Sequence, residues 1–156
     1  MKIRSMSAED KPAIMNLLGN TPEFNDLDRL VAEEVIDAYL CSPSGEEYHA
    51  LVAELDSQIA GYVCYGHNSM TVSTWDVYWI AVAHNIQGRG IGHELMRVTE
   101  NNIQKAGGKL IVLETSGTPL YDKTNRFYIK LNYTLVARIA DFYGPGDDQI
   151  LYTKRF

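Results

Sequence analysis

The residues of this chain best suited to chemistry lie in one short run, Gln87-Gly88-Arg89-Gly90-Ile91-Gly92. Its glycines at alternate positions remove side chains where a backbone must turn tightly or approach another group closely. Ile91, Leu95, Val98 and Ile103 follow at helical spacing, so the run ends at a helix N-terminus. The first N–H groups of a helix find no acceptor within it and carry the positive end of its dipole. A phosphate is their complement. The run is a candidate phosphate cradle, and a tight turn that binds nothing is the alternative on these residues alone.

Several other chemistries do not fit. The Lys-Ser/Thr pair with which a P-loop holds phosphate and magnesium is missing after the glycines. The spacing is not the G-x-G-x-x-G of a dinucleotide fold, and the run follows three antiparallel-looking strands rather than opening a βαβ unit. His49, His67, His84 and His93 have neither metal-ligand spacing nor cysteine partners, so no metal site is expected. There is no Gly-x-Ser-x-Gly elbow for a hydrolase.

The elements that must position the glycine run can be read from patterning. Trp75 to Val82, rich in Val, Tyr, Trp and Ile, predicts a largely buried strand leading into it. Upstream, a strand over Lys2–Met6 is followed by Ser7 and Asp10 as a helix cap, then a helix closed by Gly19-Asn20. A second helix is expected from Asp26 to Leu40, stopped by Cys41-Ser42-Pro43-Ser44-Gly45. Tyr48–Leu55 and Ile59–Tyr65 form a hairpin through Asp56-Ser57-Gln58. Downstream of the glycine helix, which Ala106-Gly107-Gly108 ends, lie an apolar central strand (Lys109–Thr115) and a helix (Pro119–Leu131). A last strand pair, Tyr133–Asp141 and Gln149–Lys154, closes the chain. The order β-α-α-β-β-β-α-β-α-β-β is a mixed α/β (α+β) arrangement, one domain over 1–156, with helices packed on a mixed sheet.

Composition supports a folded globule: 156 residues, 46% hydrophobic and 10% aromatic, suffice for one substantial core. Without a membrane-length apolar run or a signal-peptide h-region at the N-terminus, a cytoplasmic protein is expected, with Cys41 and Cys64 as reduced, mostly buried thiols. The net charge of −6 is uneven. Seven basic and four acidic residues between His84 and Lys130 leave +3 there, hence −9 elsewhere; Ser5 to Ala60 holds twelve acidic residues against Lys11 and Arg29. An anionic partner suits the centre and a cationic one the N-terminal third, unless the acidic excess only solvates helix faces. No basic stripe with interleaved aromatics points to nucleic acid.

With this context, the chain resembles the GCN5-related N-acetyltransferase (GNAT) superfamily. The apolar strand ending Ile80-Ala81-Val82 and the helix-opening Gln87-x-x-Gly90-x-Gly92 are similar to the family's acetyl-coenzyme-A signature, Gln/Arg-x-x-Gly-x-Gly/Ala. Phe127-Tyr128-Ile129-Lys130-Leu131-Asn132-Tyr133 resembles the family's Phe-Tyr-x-x-x-Gly-Phe, with Asn132 in place of glycine and Tyr133 in place of phenylalanine. Asn tolerates a left-handed helix cap, so the turn should survive. Tyr121 stands where many members carry a cofactor-contacting asparagine.

The resemblance implies acetyl transfer from acetyl-CoA, without a metal, to a primary amine of a small molecule or a peptide or protein, by direct attack through a tetrahedral intermediate. It implies pyrophosphate binding by the turn, through Gln87, Gly88, Arg89, Gly90, Ile91, Gly92 and His93, and pairing of the pantetheine arm with Ile80, Ala81 and Val82. A backbone N–H there would polarise the thioester carbonyl. An alkyl amine of pKa ~10.4 needs a base to be nucleophilic at neutral pH. Glu114 matches the place of some members' catalytic glutamate; Asp76, Tyr78 and His84 are rivals, and an ordinary strand-end carboxylate is the alternative. Tyr128 matches the acid that protonates the leaving thiolate, a packed aromatic being its alternative. The first two helices and their loop would help build the acceptor site, and Asp141–Asp148 would be a loop that closes over it. A homodimer is compatible with this reading, and a catalytically silent acyl-CoA-binding module is the alternative function.

Overall fold

The computed structural model describes residues 1–42 and 47–156; Pro43-Ser44-Gly45 of the expected helix stop lie outside the described residues. The elements are β1 (Lys2–Ser5), α1 (Lys11–Gly19), α2 (Asp26–Cys41), β2 (His49–Leu55), β3 (Gln58–His67) and β4 (Thr74–Val82). They continue with α3 (Ile91–Lys105), β5 (Leu110–Ser116), α4 (Asp122–Lys130), β6 (Thr134–Gly144) and β7 (Asp147–Arg155), the order expected from patterning. The strands form one mixed sheet, β1-β2-β3-β4-β5-β7-β6. Among the described residues, only β4 and β5 pair in parallel.

The alternation of side chains along the central strands builds two cores. Leu51 and Ala53 of β2 and Val63 and Tyr65 of β3 meet Leu95, Met96 and Ile103 of α3. Ala50, Val52, Tyr62 and Cys64 point the other way, onto Ile14 and Leu18 of α1 and Ala32 and Ile36 of α2. Cys64 is buried as expected, and burial pushes its thiol up to about 12. Cys41 is exposed, contrary to expectation, because it lies in the last turn of α2 beyond the packed stripe.

In β4 the alternation changes phase. Cys64 faces Trp79 and Tyr65 faces Val77, leaving Tyr78 as an extra residue in a β-bulge. Trp75 and Val77 therefore share the α3 face with Ile80 and Val82, while Trp79 and Ala81 pack toward α1 and α2. Such a bulge bends its strand and increases the local twist. On the neighbouring strand Gly61 lets α3 descend onto the sheet: a Cβ there would stand 2.9 Å from Leu95 Cδ1 and 3.1 Å from the Ala81 carbonyl oxygen.

The turns are tighter than patterning suggested. Leu55 pairs with Gln58, and Asp56 and Ser57 have φ of 51° and 62°, so this hairpin turns on two residues rather than three. Gly144 pairs with Asp147, so the expected Asp141–Asp148 loop is mostly strand, turned by Pro145-Gly146. Asn132 has φ 63°, the left-handed cap anticipated for it.

At the N-terminal edge Arg4 grips Asp10 with two parallel bonds, Nη1 at 2.7 Å and Nη2 at 2.8 Å, and the Ser7 N–H donates to the same carboxylate at 2.8 Å. The hydrogen bonds from Arg4 are the main reason that the Asp10 carboxyl is held down to about 2. A carboxyl depressed in the folded state stabilises the fold fully above its unfolded value, and loses that contribution as pH falls through the folded one. Asp10→Asn should therefore cost on the order of 2 kcal/mol at neutral pH, a deficit in urea midpoint that narrows between about pH 4 and about pH 2.

Candidate active site

β4 and β5 are neighbours only at Thr74–Leu110, Trp75–Ile111 and Asp76–Val112. β5 then stays with β7 as far as Ser116–Gln149, while β4 stays with β3 to Val82. The strands part just where the Tyr78 bulge adds twist to β4, and a cleft of about 1160 Å³ opens between them. Its walls include the Thr21–Asn25 loop, the unpaired edge of β4, the glycine turn, the diverging end of β5 and one side of α4.

The β4 wall offers backbone hydrogen-bonding groups. The Ala83 N–H donates to the Ala60 carbonyl at 2.9 Å, so Ala83 turns toward β3. Successive residues of a strand point their N–H and C=O groups to opposite edges. Ala81 therefore also turns to β3, while Ile80 and Val82 present theirs to the cleft. The Val82 carbonyl accepts from Gln87 Nε2 at 3.1 Å, which agrees with this phase and leaves the Ile80 groups unengaged among the described residues.

At the far end of β4 the chain makes the glycine turn. Gly88 and Gly90 have φ of 82° and 80°, left-handed values that explain glycine at both positions. The Glu94 N–H, bonded to the Gly90 carbonyl at 3.0 Å, is the first at this end of α3 to find a carbonyl. Among the described residues, the N–H groups of Ile91, Gly92 and His93 have no acceptor, and these three residues line the cleft with Gly88 and Gly90. Gly92 admits α4 closely, since a Cβ there would lie 3.4 Å from the Phe127 ring. Gln87 braces the turn: its carbonyl end takes a 2.6 Å bond from Lys123 of α4 while its amide holds Val82. Of the expected cofactor-binding residues only Arg89, exposed at the tip, stands outside the cleft lining.

Tyr128 and Glu114 reach the same cleft from α4 and β5. Tyr128 is only 5% exposed, packed against Phe127, Tyr133 and Tyr152, and its hydroxyl bonds to no described residue. Burial raises its pKa well above that of a free tyrosine, so it stays protonated across the working range. Glu114 is exposed, and its carboxylate accepts a hydrogen bond from the Gln149 side-chain amide. Of the rival bases, Asp76 stands at the fork, takes a 3.0 Å bond from Asn68 and has its pKa raised by burial. Tyr78 lines the cleft with its ring edge-on to Tyr48. His84 is exposed outside it.

Four further residues of this cleft were not assigned a role in the site one by one from patterning. Glu23 and Asp28 line it from the α1–α2 region, Tyr143 and Asp147 from the β6–β7 hairpin. The acidic excess of the N-terminal third was the signal for Glu23 and Asp28, and the expected Asp141–Asp148 loop the signal for Tyr143 and Asp147, but each named a segment rather than residues. Tyr121, in place of the family's asparagine, ties two walls together by donating to the Glu23 backbone carbonyl at 2.6 Å. Ser116 similarly holds Asp147 at 2.5 Å.

A family model of the Acetyltransferase (GNAT) domain matches residues 46–135. An uncharacterised N-acetyltransferase of Methanocaldococcus jannaschii is 32% identical over 107 residues, 67% of this chain and 64% of that relative. A solved GNAT-family structure from Desulfovibrio desulfuricans is 34% identical over 99% of this chain and 98% of that one, with a TM-score of 0.94. The fold, at 21% identity and a TM-score of 0.77, is also that of an aminoglycoside 6′-N-acetyltransferase complexed with coenzyme A, covering 99% of this chain and 97% of that one. The chain belongs to the GNAT acetyltransferase family. Among the described residues, no helix is long and apolar enough to cross a membrane.

Proposed function

We propose that this chain is an acetyl-CoA-dependent N-acetyltransferase of the cytoplasm, its 156 residues forming one catalytic domain that acetylates a primary amine by direct attack. The observation that carries the reading is the β4–β5 fork with the open N–H groups of α3 at its mouth. Those N–H groups, with the backbone of Gly88 and Gly90, suit the pyrophosphate of coenzyme A. The coenzyme A in the aminoglycoside acetyltransferase structure supports this reading through the shared fold. The unpaired edge at Ile80–Val82 suits the amide-bearing pantetheine arm as an added strand, and the Ile80 N–H suits the oxyanion of the tetrahedral intermediate.

Glu114 takes a proton from the amine, directly or through water, as the C–N bond forms. The C–S bond then breaks, and Tyr128 gives its hydroxyl proton to the departing sulfur. A free thiol has a pKa of about 8.5, and Tyr128 is a much weaker acid than that. Its proton therefore moves in concert with C–S cleavage rather than ahead of it, and its high pKa keeps the donor form filled. Glu114→Gln should lower kcat by about 10²-fold or more, with the loss least at alkaline pH where the free amine is abundant. If Asp76→Asn rather than Glu114→Gln gives that profile, the base is Asp76.

The reading is tested by following CoA release over a panel of primary amines and identifying the acetylated product by mass spectrometry. Tight acetyl-CoA binding with no turnover on any amine would sink it.

A further inference from the structure

We propose that the acceptor carries, besides the amine that is acetylated, a second cationic group held at the acidic end of the cleft, as in a small aliphatic diamine or polyamine. The inference rests on the acetyltransferase reading above.

Five carboxylates line the cleft: Glu23, Asp28, Asp76, Glu114 and Asp147. None of them forms an ion pair with a described residue, although carboxylates elsewhere do, Glu100 with Lys154 at 2.7 Å and Asp10 with Arg4 among them. Arg29, beside Asp28, is instead engaged by Asp26 at 3.2 Å. The partners these carboxylates do have are uncharged: the Asn25 N–H for Asp28, the Ser116 hydroxyl for Asp147, the Gln149 amide for Glu114 and the Asn68 amide for Asp76. Such donors orient a carboxylate without neutralising it. One oxygen of Glu23 is shut off from solvent with no partner. Among the described residues, no three His, Cys, Asp or Glu side chains are grouped so as to hold a metal ion, so the negative charge is spread along a wall rather than focused on a point.

The positive residues of the cleft are segregated from this wall. Lys123, Arg126 and Lys130 all belong to α4, and Lys123 reaches the glycine turn through Gln87. One end of the cleft thus suits phosphates and the other a cation. The acidic end also adjoins the reacting centre. Tyr121 donates to the Glu23 backbone carbonyl at 2.6 Å and its own carbonyl accepts from Asn125 Nδ2 at 3.0 Å, and Asn125 in turn accepts from Tyr152, whose ring packs on Tyr128. Tyr128 itself is more than nine-tenths buried, with its hydroxyl unpartnered in the same cleft.

A monoamine does not satisfy this arrangement. Its nitrogen must lose its charge to attack, and one carboxylate is enough to take that proton. The remaining carboxylates would still stand along the wall without a counter-charge, at a cost that rises as the acceptor displaces water. Only a charge that persists through the reaction relieves it. A second ammonium does so, and it fixes the first nitrogen against the thioester.

The test compares α,ω-diaminoalkanes with n-alkylamines of matched chain length, using the full chain saturated with acetyl-CoA. Diamines should exceed monoamines in kcat/KM by about tenfold or more at low salt, and the ratio should shrink as salt is added. Replacing Glu23→Gln and Asp28→Asn together should cut that ratio by about tenfold. Asp147→Asn, on a different element, should cut it in the same direction. Thermal unfolding and acetyl-CoA affinity of each variant establish that it is folded with its cofactor end intact. Equal efficiency toward monoamines and diamines overturns the proposal, as does a diamine preference that survives in both folded variants. If acetyl-CoA binds and neither kind of amine is acetylated, both this inference and the acetyltransferase reading fall.

Discussion

Tyr128→Phe is expected to lower kcat by about 10²- to 10⁴-fold while leaving the acetyl-CoA dissociation constant unchanged. The substitution removes one hydroxyl from a side chain that is otherwise wedged among Phe127, Tyr133 and Tyr152. Because that hydroxyl bonds to no described residue, its loss breaks no hydrogen bond of the fold. Stability should therefore hold, since the hydroxyl opens on the cleft and contributes no bond to the fold. This separates the chemical role from a packing role. A purely structural tyrosine would leave kcat alone, whereas an acid for the leaving thiolate slows turnover in a protein that melts normally. The defect should also be smallest with acyl donors whose leaving thiol is most acidic, because those depart with least need of a proton.

Gly90→Glu is expected to weaken acetyl-CoA binding by about 100-fold or more, roughly 2.7 kcal/mol. Two effects add. The position has φ 80°, where any side chain meets left-handed strain, worth about 1–2 kcal/mol. A carboxylate there would also repel the phosphates proposed to sit on the N–H groups of Ile91, Gly92 and His93. No atom lies within 4 Å of a Cβ built at Gly90, so Gly90→Ala introduces the strain without a clash and without the charge. Calorimetry on the two variants apportions the loss. If Gly90→Glu binds acetyl-CoA as tightly as the parent chain, the turn is not the cofactor cradle.

The fold was legible in the sequence where local chemistry decides it. The period-two runs of β2 and β3 and the helical stripe Ile91, Leu95 and Ile103 of α3 find their places because each buries a face that no other arrangement would cover. Asn132 takes the left-handed cap for the same local reason. The Tyr78 bulge was not legible, since Trp75 to Val82 reads as one unbroken apolar strand. A bulge records the register with a partner strand, which no local pattern encodes. The fork depends on it, and so does the choice of Ile80 and Val82 as the residues facing the cleft. The turn Pro145-Gly146 read as part of the longer Asp141–Asp148 loop for a similar reason, because only pairing shows that Gly144 and Asp147 already belong to strands.

At the site, the glycine turn was visible because it needs an unusual residue type at fixed spacing. Glu23, Asp28 and Asp147 were not, because ordinary surface carboxylates and site carboxylates have the same composition and differ only in what they face. Gln87 was visible as part of the turn, but not the bridge its side chain makes between Val82 and Lys123. Cys41 and Cys64 are both absent from the cleft lining, which offers no thiol to carry an acetyl group between donor and acceptor.

Initial velocities measured with acetyl-CoA and a primary amine varied together test the central claim most directly. Attack within one ternary complex at the β4–β5 fork predicts intersecting reciprocal plots and one acetylated amine for each CoA released. Parallel plots, or an acetylated protein that accumulates before any amine is added, would contradict it.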